Sequence, residues 1–289
     1  MCRLFGFRSV IPSQVHRSLV SCDNALLQQS ENHPDGWGVA YYVSDVPHVI
    51  KSAEPAVADS LFQRVSGIVS SQTVVAHLRK ATTGQLSMVN CHPFQYGQWV
   101  FAHNGQVPDF GEYREAFLDR VAPQLKRFVL GETDSEVLFY LLLTNLADRV
   151  DLADRGTRTE ALVESVEETV EQVHEIVGDT CYDSTEKGDL YLSFLMTNGA
   201  SMVAHQGGKE LYYSTHKTRC SERDTCPSYS KICEMSVDSG RVNHMIFSSE
   251  PLEGENVWTQ MRPGHVVAVD RGMTFFEKSE PKLRAVSGT

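Results

Sequence analysis

The sequence predicts an α+β fold in which two β-sheets pack together and helices cover their outer faces. Two observations predict it. Apolar and β-branched runs of strand length fill the first hundred residues and return after residue 189. Helical periodicity is concentrated between them, over residues 110–177. Strands, then helices, then strands again is the order that suits two sheets with helices outside. At 289 residues, 41% hydrophobic and 22% charged, the chain is large enough for one big domain or two small ones.

Taken in order, the continuous apolar run Leu4-Phe5-Gly6-Phe7 predicts a buried strand at the very start. Val15, Leu19, Ala25 and Leu26 are spaced for an amphipathic helix over residues 13–29. His33-Pro34-Asp35-Gly36-Trp37-Gly38 is a turn by composition. Strands are expected over 37–43 and 48–51, and a short helix over 55–67 with Pro55 near its start. The β-branched stretch 73–78 reads as a buried strand, 80–96 as a polar loop, and 99–102 as a strand closed by His103-Asn104-Gly105. The middle is helical: 110–121, then Thr133-Asp134-Ser135-Glu136 as a capping box ahead of the apolar run 137–146, then 159–177 with a Glu-rich outer face. Strands over 189–196, 202–205 and 210–214 form a meander, and 217–243 is a polar loop. Strands over 244–248, 265–270 and 273–277 end the chain, the last two hairpin-like around Arg271-Gly272. No internal repeat, low-complexity segment or linker interrupts this order.

The formal net charge of −11 argues against nonspecific binding to nucleic acid or to an anionic membrane. No apolar run approaches the ~20 residues of a membrane-spanning helix. The N-terminus lacks a basic segment followed by an apolar core, so it is not read as a signal peptide. Seven cysteines, at positions 2, 22, 91, 181, 220, 226 and 233 without a CxxC, suit reduced thiols. The expectation is a cytoplasmic protein.

Chemistry is suggested first by Cys2. If Met1 is trimmed, one residue carries both a thiol and a free α-amine. An unperturbed α-amine titrates near ~8 and can act as a base at neutral pH. A thiol needs such a base, because the thiolate is the nucleophile. Three further segments gather polar residues at strand ends: His77-Leu78-Arg79-Lys80-Ala81-Thr82-Thr83-Gly84, Asn90-Cys91-His92-Pro93-Phe94 and His103-Asn104-Gly105. A thiolate attacking an amide creates an oxyanion that needs preplaced donors, and the Asn104 amide and Gly105 backbone N–H can supply them. Arg79 offers a fork for a carboxylate, and Asp134 an acid for an ammonium. Each has a plainer reading as well: a tight turn for Asn104-Gly105, a surface ion pair for Arg79, a helix N-terminal acid for Asp134. His77, His92 and His103 come without a helical H-x-x-x-H or a CxxC. They read as hydrogen-bonded structure instead of metal ligands, and no cofactor is expected. Cys220, Cys226 and Cys233 read as ordinary thiols.

In combination, Cys2 behind a removable Met1, His77-x-Arg79-x-Ala81-Thr82, His92-Pro93-Phe94, His103-Asn104-Gly105 and Glu132-Thr133-Asp134 resemble the class II glutamine amidotransferases, which are N-terminal nucleophile hydrolases. The motifs span about residues 1–140. Ser248-Ser249-Glu250-Pro251-Leu252 adds a softer likeness to small stand-alone members. The resemblance implies a four-layer αββα sandwich forming a single amidotransferase domain over residues 1–289. It implies Cys2 as nucleophile with its own amine as base, Asn104 and Gly105 as the oxyanion hole, Arg79 and Thr82 on the α-carboxylate of glutamine, and Asp134 on its α-ammonium. Thr83 stands where several members fused to a synthase domain have His, and Asp35 reads as scaffolding near Cys2. With no phosphate loop or dinucleotide fingerprint in the chain, the expectation is a stand-alone amidohydrolase for glutamine or a γ-glutamyl compound, acting through a Cys2 thioester. The alternatives are a glutaminase subunit serving a separate ammonia-accepting synthase, and a catalytically silent binding protein.

Overall fold

Fourteen strands and six α-helices make up the structure, a computed structural model that describes residues 2–178, 189–237 and 239–278. Met1 and Cys181 lie outside the described residues. The strands are β1 (Arg3–Gln14), β2 (Trp37–Val43), β3 (Val46–Ser52), β4 (Ser70–Leu78), β5 (Phe94–Tyr96), β6 (Trp99–Gln106) and β7 (Tyr191–Thr197), then β8 (Met202–His205), β9 (Tyr212–Ser214), β10 (Gly240–Arg241), β11 (His244–Ser248), β12 (Thr259–Gln260), β13 (Val266–Val269) and β14 (Thr274–Lys278). The helices are α1 (Leu26–Gln29), α2 (Ser60–Ile68), α3 (Phe110–Arg120), α4 (Pro123–Lys126), α5 (Asp134–Ala147) and α6 (Thr159–Val177).

The strands form two antiparallel sheets, ordered β12-β9-β11-β1-β4-β2-β3 and β10-β14-β13-β8-β7-β6-β5. Alternate side chains of each strand point to opposite faces, so each sheet contributes to two cores. Leu4, Val75 and Phe247 of the first sheet meet Val100, Leu195 and Val267 of the second in the layer between them. The other face of the first sheet, with Phe5, Val74 and Ile246, packs on Phe62 and Val65 of α2 and on Leu26 of α1. The outer face of the second, with Phe101, Phe194 and Val203, packs on Phe117, Phe139 and Val170 of α3, α5 and α6. The result is four layers, αββα. Both faces of each sheet are covered, which is why the central strands read as continuous apolar runs and not as alternating ones.

Several sequence expectations require correction. The helix expected over 13–29 is broken. Ser13 and Gln14 remain in β1, paired with Ser71 and Ser70. After a short π turn, Arg17–Ser21, Cys22 is extended. Asn24 then bonds away from any helix, its Nδ2 donating to the Pro251 carbonyl at 2.7 Å and its Oδ1 accepting from the Glu253 N–H at 2.8 Å. A side chain competing in this way for backbone groups stops a helix, and only α1 survives. The helix expected over 55–67 starts at Ser60, because Asp59 caps it: Oδ1 accepts from the Leu61 N–H at 2.9 Å while Oδ2 takes the indole N–H of buried Trp37 at 3.0 Å. The strand expected over 210–214 does not continue a meander. As β9 it crosses to the first sheet, Tyr213 opposite Phe247. His103, Asn104 and Gly105 do not close β6 but lie inside it, opposite Phe194, Ser193 and Leu192 of β7.

The capping box before α5 forms by half. Thr133 Oγ1 accepts from the Glu136 N–H at 3.3 Å, but the Glu136 carboxylate does not return to Thr133. It accepts instead from the Leu130 and Gly131 N–H groups at 3.1 and 2.6 Å, fastening the preceding loop. Thr133 therefore supplies the N-cap hydrogen bond without the reciprocal one. Thr133→Ala is expected to lower unfolding stability by about 1 kcal/mol, read from the denaturant midpoint, while Thr133→Ser retains it. An unchanged midpoint in the alanine variant would show that Glu136 holds this helix start without the cap.

Candidate active site

The site is built where the first strand enters the sandwich. β1 lies between β4 and β11, with Arg3 opposite Leu78 and Leu4 opposite His77. This register sets Cys2 against the backbone just past β4. The Lys80 N–H donates to Cys2 Sγ at 3.3 Å, and the thiol in turn reaches the Lys80 carbonyl at 3.5 Å. Burial pushes the Cys2 thiol above its ordinary pKa. The Lys80 N–H and the Arg79 charge act against that, and the Asp134 charge adds to it. The net direction is upward, so the thiol is protonated at neutral pH and needs a base to react.

Arg79 is buried, and its guanidinium is fixed by the loop that follows it. Nη1 donates to the Gln85 carbonyl at 3.1 Å, and Nη2 to Thr83 and Gly84 at 2.9 and 3.4 Å. Asp35 fastens the same loop, its Oδ2 accepting from the Ala81 N–H at 2.8 Å. Glu132 fastens it further along, accepting from the Gln85 N–H at 3.1 Å. Asp134 is also buried. Its Oδ2 accepts from the Val107 N–H at 2.7 Å and its Oδ1 from the Ser135 N–H at 2.7 Å. Both charges bear on the Cys2 thiol. Thr82 stands exposed in its loop, and among the described residues no hydrogen bond ties it to the others.

Asn104 projects from the second sheet toward the first. Its Nδ2 donates to Ser249 Oγ at 3.4 Å, and Ser249 Oγ also accepts from the Leu4 N–H at 2.9 Å. Gly105 follows where no other residue fits: a Cβ there would lie 2.0 Å from the Tyr191 carbonyl oxygen. Gly38 is as constrained, since a Cβ would come 2.1 Å from the His92 carbonyl oxygen. The structure thus brings the Arg79 and Asp134 charges to bear on the Cys2 thiol, ties Asn104 through Ser249 to Leu4, two residues along the chain from Cys2, and leaves Thr82 exposed.

Ser249 was not singled out for a role by sequence reasoning, although its Ser-Ser-Glu-Pro stretch was conspicuous. The same holds for Glu250, which forms an ion pair with Arg3, whose Nη1 also reaches the Cys2 carbonyl at 3.4 Å. The one available signal was position, immediately after a strand able to pair with β1.

Two of the three site histidines, His77 and His103, are hydrogen-bonded as expected; buried His92 is not, since among the described residues neither of its ring nitrogens has a hydrogen-bond partner and it is held by ring contacts with His77 and Phe94. His77 donates from Nε2 to the His103 carbonyl at 3.1 Å and packs against His92, the rings tilted by 36° with their centroids 4.1 Å apart. His103 bonds through Nε2 to the Tyr191 carbonyl at 3.0 Å, which leaves Nδ1 to accept from the Ser135 hydroxyl at 2.9 Å. Among the described residues no group of three His, Cys, Asp or Glu side chains could hold a metal ion. None of the six described cysteines is in a disulfide, and no described helix is long and apolar enough to cross a membrane.

A family profile for the class-II glutamine amidotransferases matches residues 1–287. A Saccharomyces cerevisiae protein named as a probable glutamine amidotransferase is 26% identical over 302 residues, covering 94% of this chain and 82% of that one. The γ-glutamyl-hercynylcysteine sulfoxide hydrolase of Mycobacterium tuberculosis is 38% identical over 74 residues, 25% of this chain and 32% of its own length. Among solved structures, a glutamine aminotransferase class-II domain protein from Silicibacter pomeroyi superposes with a TM-score of 0.60 at 23% identity, covering 96% of this chain and 99% of that one.

Burial also sets how the molecule responds to acid. It pushes His77 down to about 3 and His205 and His244 each to about 4. An unfolded histidine takes up a proton near ~6.5, whereas these folded ones do not. Their contribution to stability is therefore full above ~6.5 and is lost as pH falls toward those depressed values. Each costs up to about 1.4 kcal/mol per pH unit within that window. The denaturant midpoint is expected to drop between pH 7 and 5. A midpoint that stays flat would mean that solvent protonates these imidazoles in the folded state.

Proposed function

The chain belongs to the class-II glutamine amidotransferases, with the αββα fold of the N-terminal nucleophile hydrolases, and from that premise we propose that it hydrolyses the γ-glutamyl amide of glutamine or of a γ-glutamyl compound at Cys2. One observation carries the reading. The thiol of residue 2 is buried at the end of a central strand, cradled by the Lys80 backbone, and the same strand is linked through one hydroxyl to the Asn104 amide.

In this reading removal of Met1 frees the Cys2 amine. The amine takes the thiol proton, and Sγ attacks the amide carbon. The electron pair of the C=O bond moves onto oxygen, where the Asn104 amide and the Gly105 N–H stabilise it. Such donors count for most in a site that excludes water. As the oxyanion collapses, the C–N bond breaks and the amine returns the proton to the departing ammonia or amine, leaving a thioester. Water, deprotonated by the same amine, cleaves the thioester and restores the thiol. The upward shift of the thiol makes the base necessary, because burial leaves little spontaneous thiolate.

Arg79 reads the substrate α-carboxylate with the part of its guanidinium not taken by the loop carbonyls, Thr82 assists at the rim, and Asp134 receives the α-ammonium through its remaining lone pairs. The whole chain acts as one domain in the cytoplasm, and no cofactor takes part. The short, closer likeness to a γ-glutamyl hydrolase supports γ-glutamyl compounds as substrates beside glutamine. Assays with glutamine and with a γ-glutamyl dipeptide, each with and without cell extract, separate a stand-alone hydrolase from a subunit that serves a separate synthase.

Cys2→Ser is expected to abolish turnover with the fold intact, since the same amine activates a hydroxyl poorly. Near wild-type turnover in the purified variant would sink the assignment. Arg79→Lys replaces a planar fork by a point charge on a flexible stem. The expected loss is about 1.5–3 kcal/mol, or roughly one to two decades in kcat/KM. The decarboxylated analogue of the substrate should lose little further in this variant. Equal losses on both substrates would assign Arg79 to holding the loop of residues 83–85 alone.

A further inference from the structure

We infer that Ser249 is the positioning residue that holds the Asn104 amide toward the Cys2 thiol; this rests on the reading of Cys2 and Asn104 proposed above. β11 ends at Ser248, opposite Phe5 of β1. One residue on, main-chain pairing is replaced in part by a side chain. The Ser249 N–H still donates to the Leu4 carbonyl at 3.1 Å, but the Leu4 N–H donates to Ser249 Oγ at 2.9 Å, not to a backbone carbonyl. A hydroxyl oxygen has two lone pairs. One serves Leu4, and the other accepts from Asn104 Nδ2 at 3.4 Å across the space between the sheets. A main-chain carbonyl at that position would continue the ladder and would not reach the second sheet through a side chain.

Among the described residues Ser249 is the sole hydrogen-bond partner of the Asn104 side chain, whose Oδ1 is buried with none. Both side chains are about 4% exposed, so water does not substitute freely. The amide nitrogen carries two N–H groups. Ser249 engages one of them and leaves the other for the oxyanion. The bond to Leu4 fixes Ser249 to the strand that bears the nucleophile, so one oxygen sets the position of an amide on one sheet relative to a thiol on the other. Without that oxygen the Asn104 amide has no hydrogen-bonding restraint from any described group, and its donor is no longer fixed in direction before the reaction.

The test is a double-mutant cycle on purified protein, using whichever of glutamine and a γ-glutamyl dipeptide is turned over faster. Ser249→Ala is expected to lower kcat by about tenfold or more, up to the ~10²–10³ cost of removing an oxyanion donor outright, with KM changed less than about twofold. In an Asn104→Ala background the same substitution is expected to cost nothing further, because the group it positions is gone. A merely structural role, through the orphaned Leu4 N–H, would multiply the two losses. That result, or full kcat in Ser249→Ala, overturns the inference. Should the alanine variant fail to fold, Ser249→Cys repeats the cycle with a weaker acceptor of similar size, and the same two outcomes decide. Cys2→Ser is measured in parallel. If it retains turnover, the reading of the site falls and the inference with it. If it is silent and Asn104→Ala lowers kcat while the Ser249 loss multiplies, only the role given to Ser249 falls.

Discussion

The structure depends on the insertion of β1 between β4 and β11. Ordinarily a chain terminus is frayed and solvated, because little pays for ordering it. Here the chain from Arg3 onward enters the middle of a seven-stranded sheet, and Leu4 and Phe5 are buried on opposite faces. Pairing on both sides removes the freedom of this segment. The register with β4 then decides what the second residue meets, and a slip of one residue would turn every side chain of β1 to the other face. Two cores, one between the sheets and one under the first sheet's helices, hold that register.

Desolvation follows from the same arrangement. A thiol drawn into a sandwich loses water and becomes harder to ionise, and Cys2 shifts in that direction. Its neighbours are subject to the same constraint. Arg79 and Asp134 keep charges in buried positions by meeting backbone groups, carbonyls for the guanidinium and N–H groups for the carboxylate. The imidazoles of His77 and His103 are neutralised by burial and used as hydrogen-bonding spacers between β4, β6 and β7. Such a shell rigidifies the region because each polar group that moved would leave a buried partner unpaired.

Much of this was legible in the residues. The continuous apolar run at 4–7, the β-branched stretch 73–78 and the helix over 159–177 depend on local composition and on burial of a whole face, and they appear where expected. Other readings failed where a distant group outcompeted a local preference. Asn24 bonds to Pro251 and Glu253 instead of continuing a helix, and Glu136 turns to Leu130 and Gly131 instead of completing its capping box. Asn104-Gly105, with turn composition, lies in a strand because β7 supplies a partner ladder.

The residue types of the site were set by sequence alone: a thiol at position two, an arginine after a buried strand, an Asn-Gly pair, an acid opening a helix. These identities are chemical, and no folding is needed to read them. Their convergence belongs to tertiary structure. Cys2 meets Lys80 across 78 positions, and Asn104 meets Ser249 across 145, through pairing registers that no local pattern encodes. A strand's sequence states that it must pair and bury its faces, but backbone hydrogen bonds are the same for every residue. Which strand becomes its neighbour, and hence which side chains face the thiol, is therefore decided only when both sheets close over a common core.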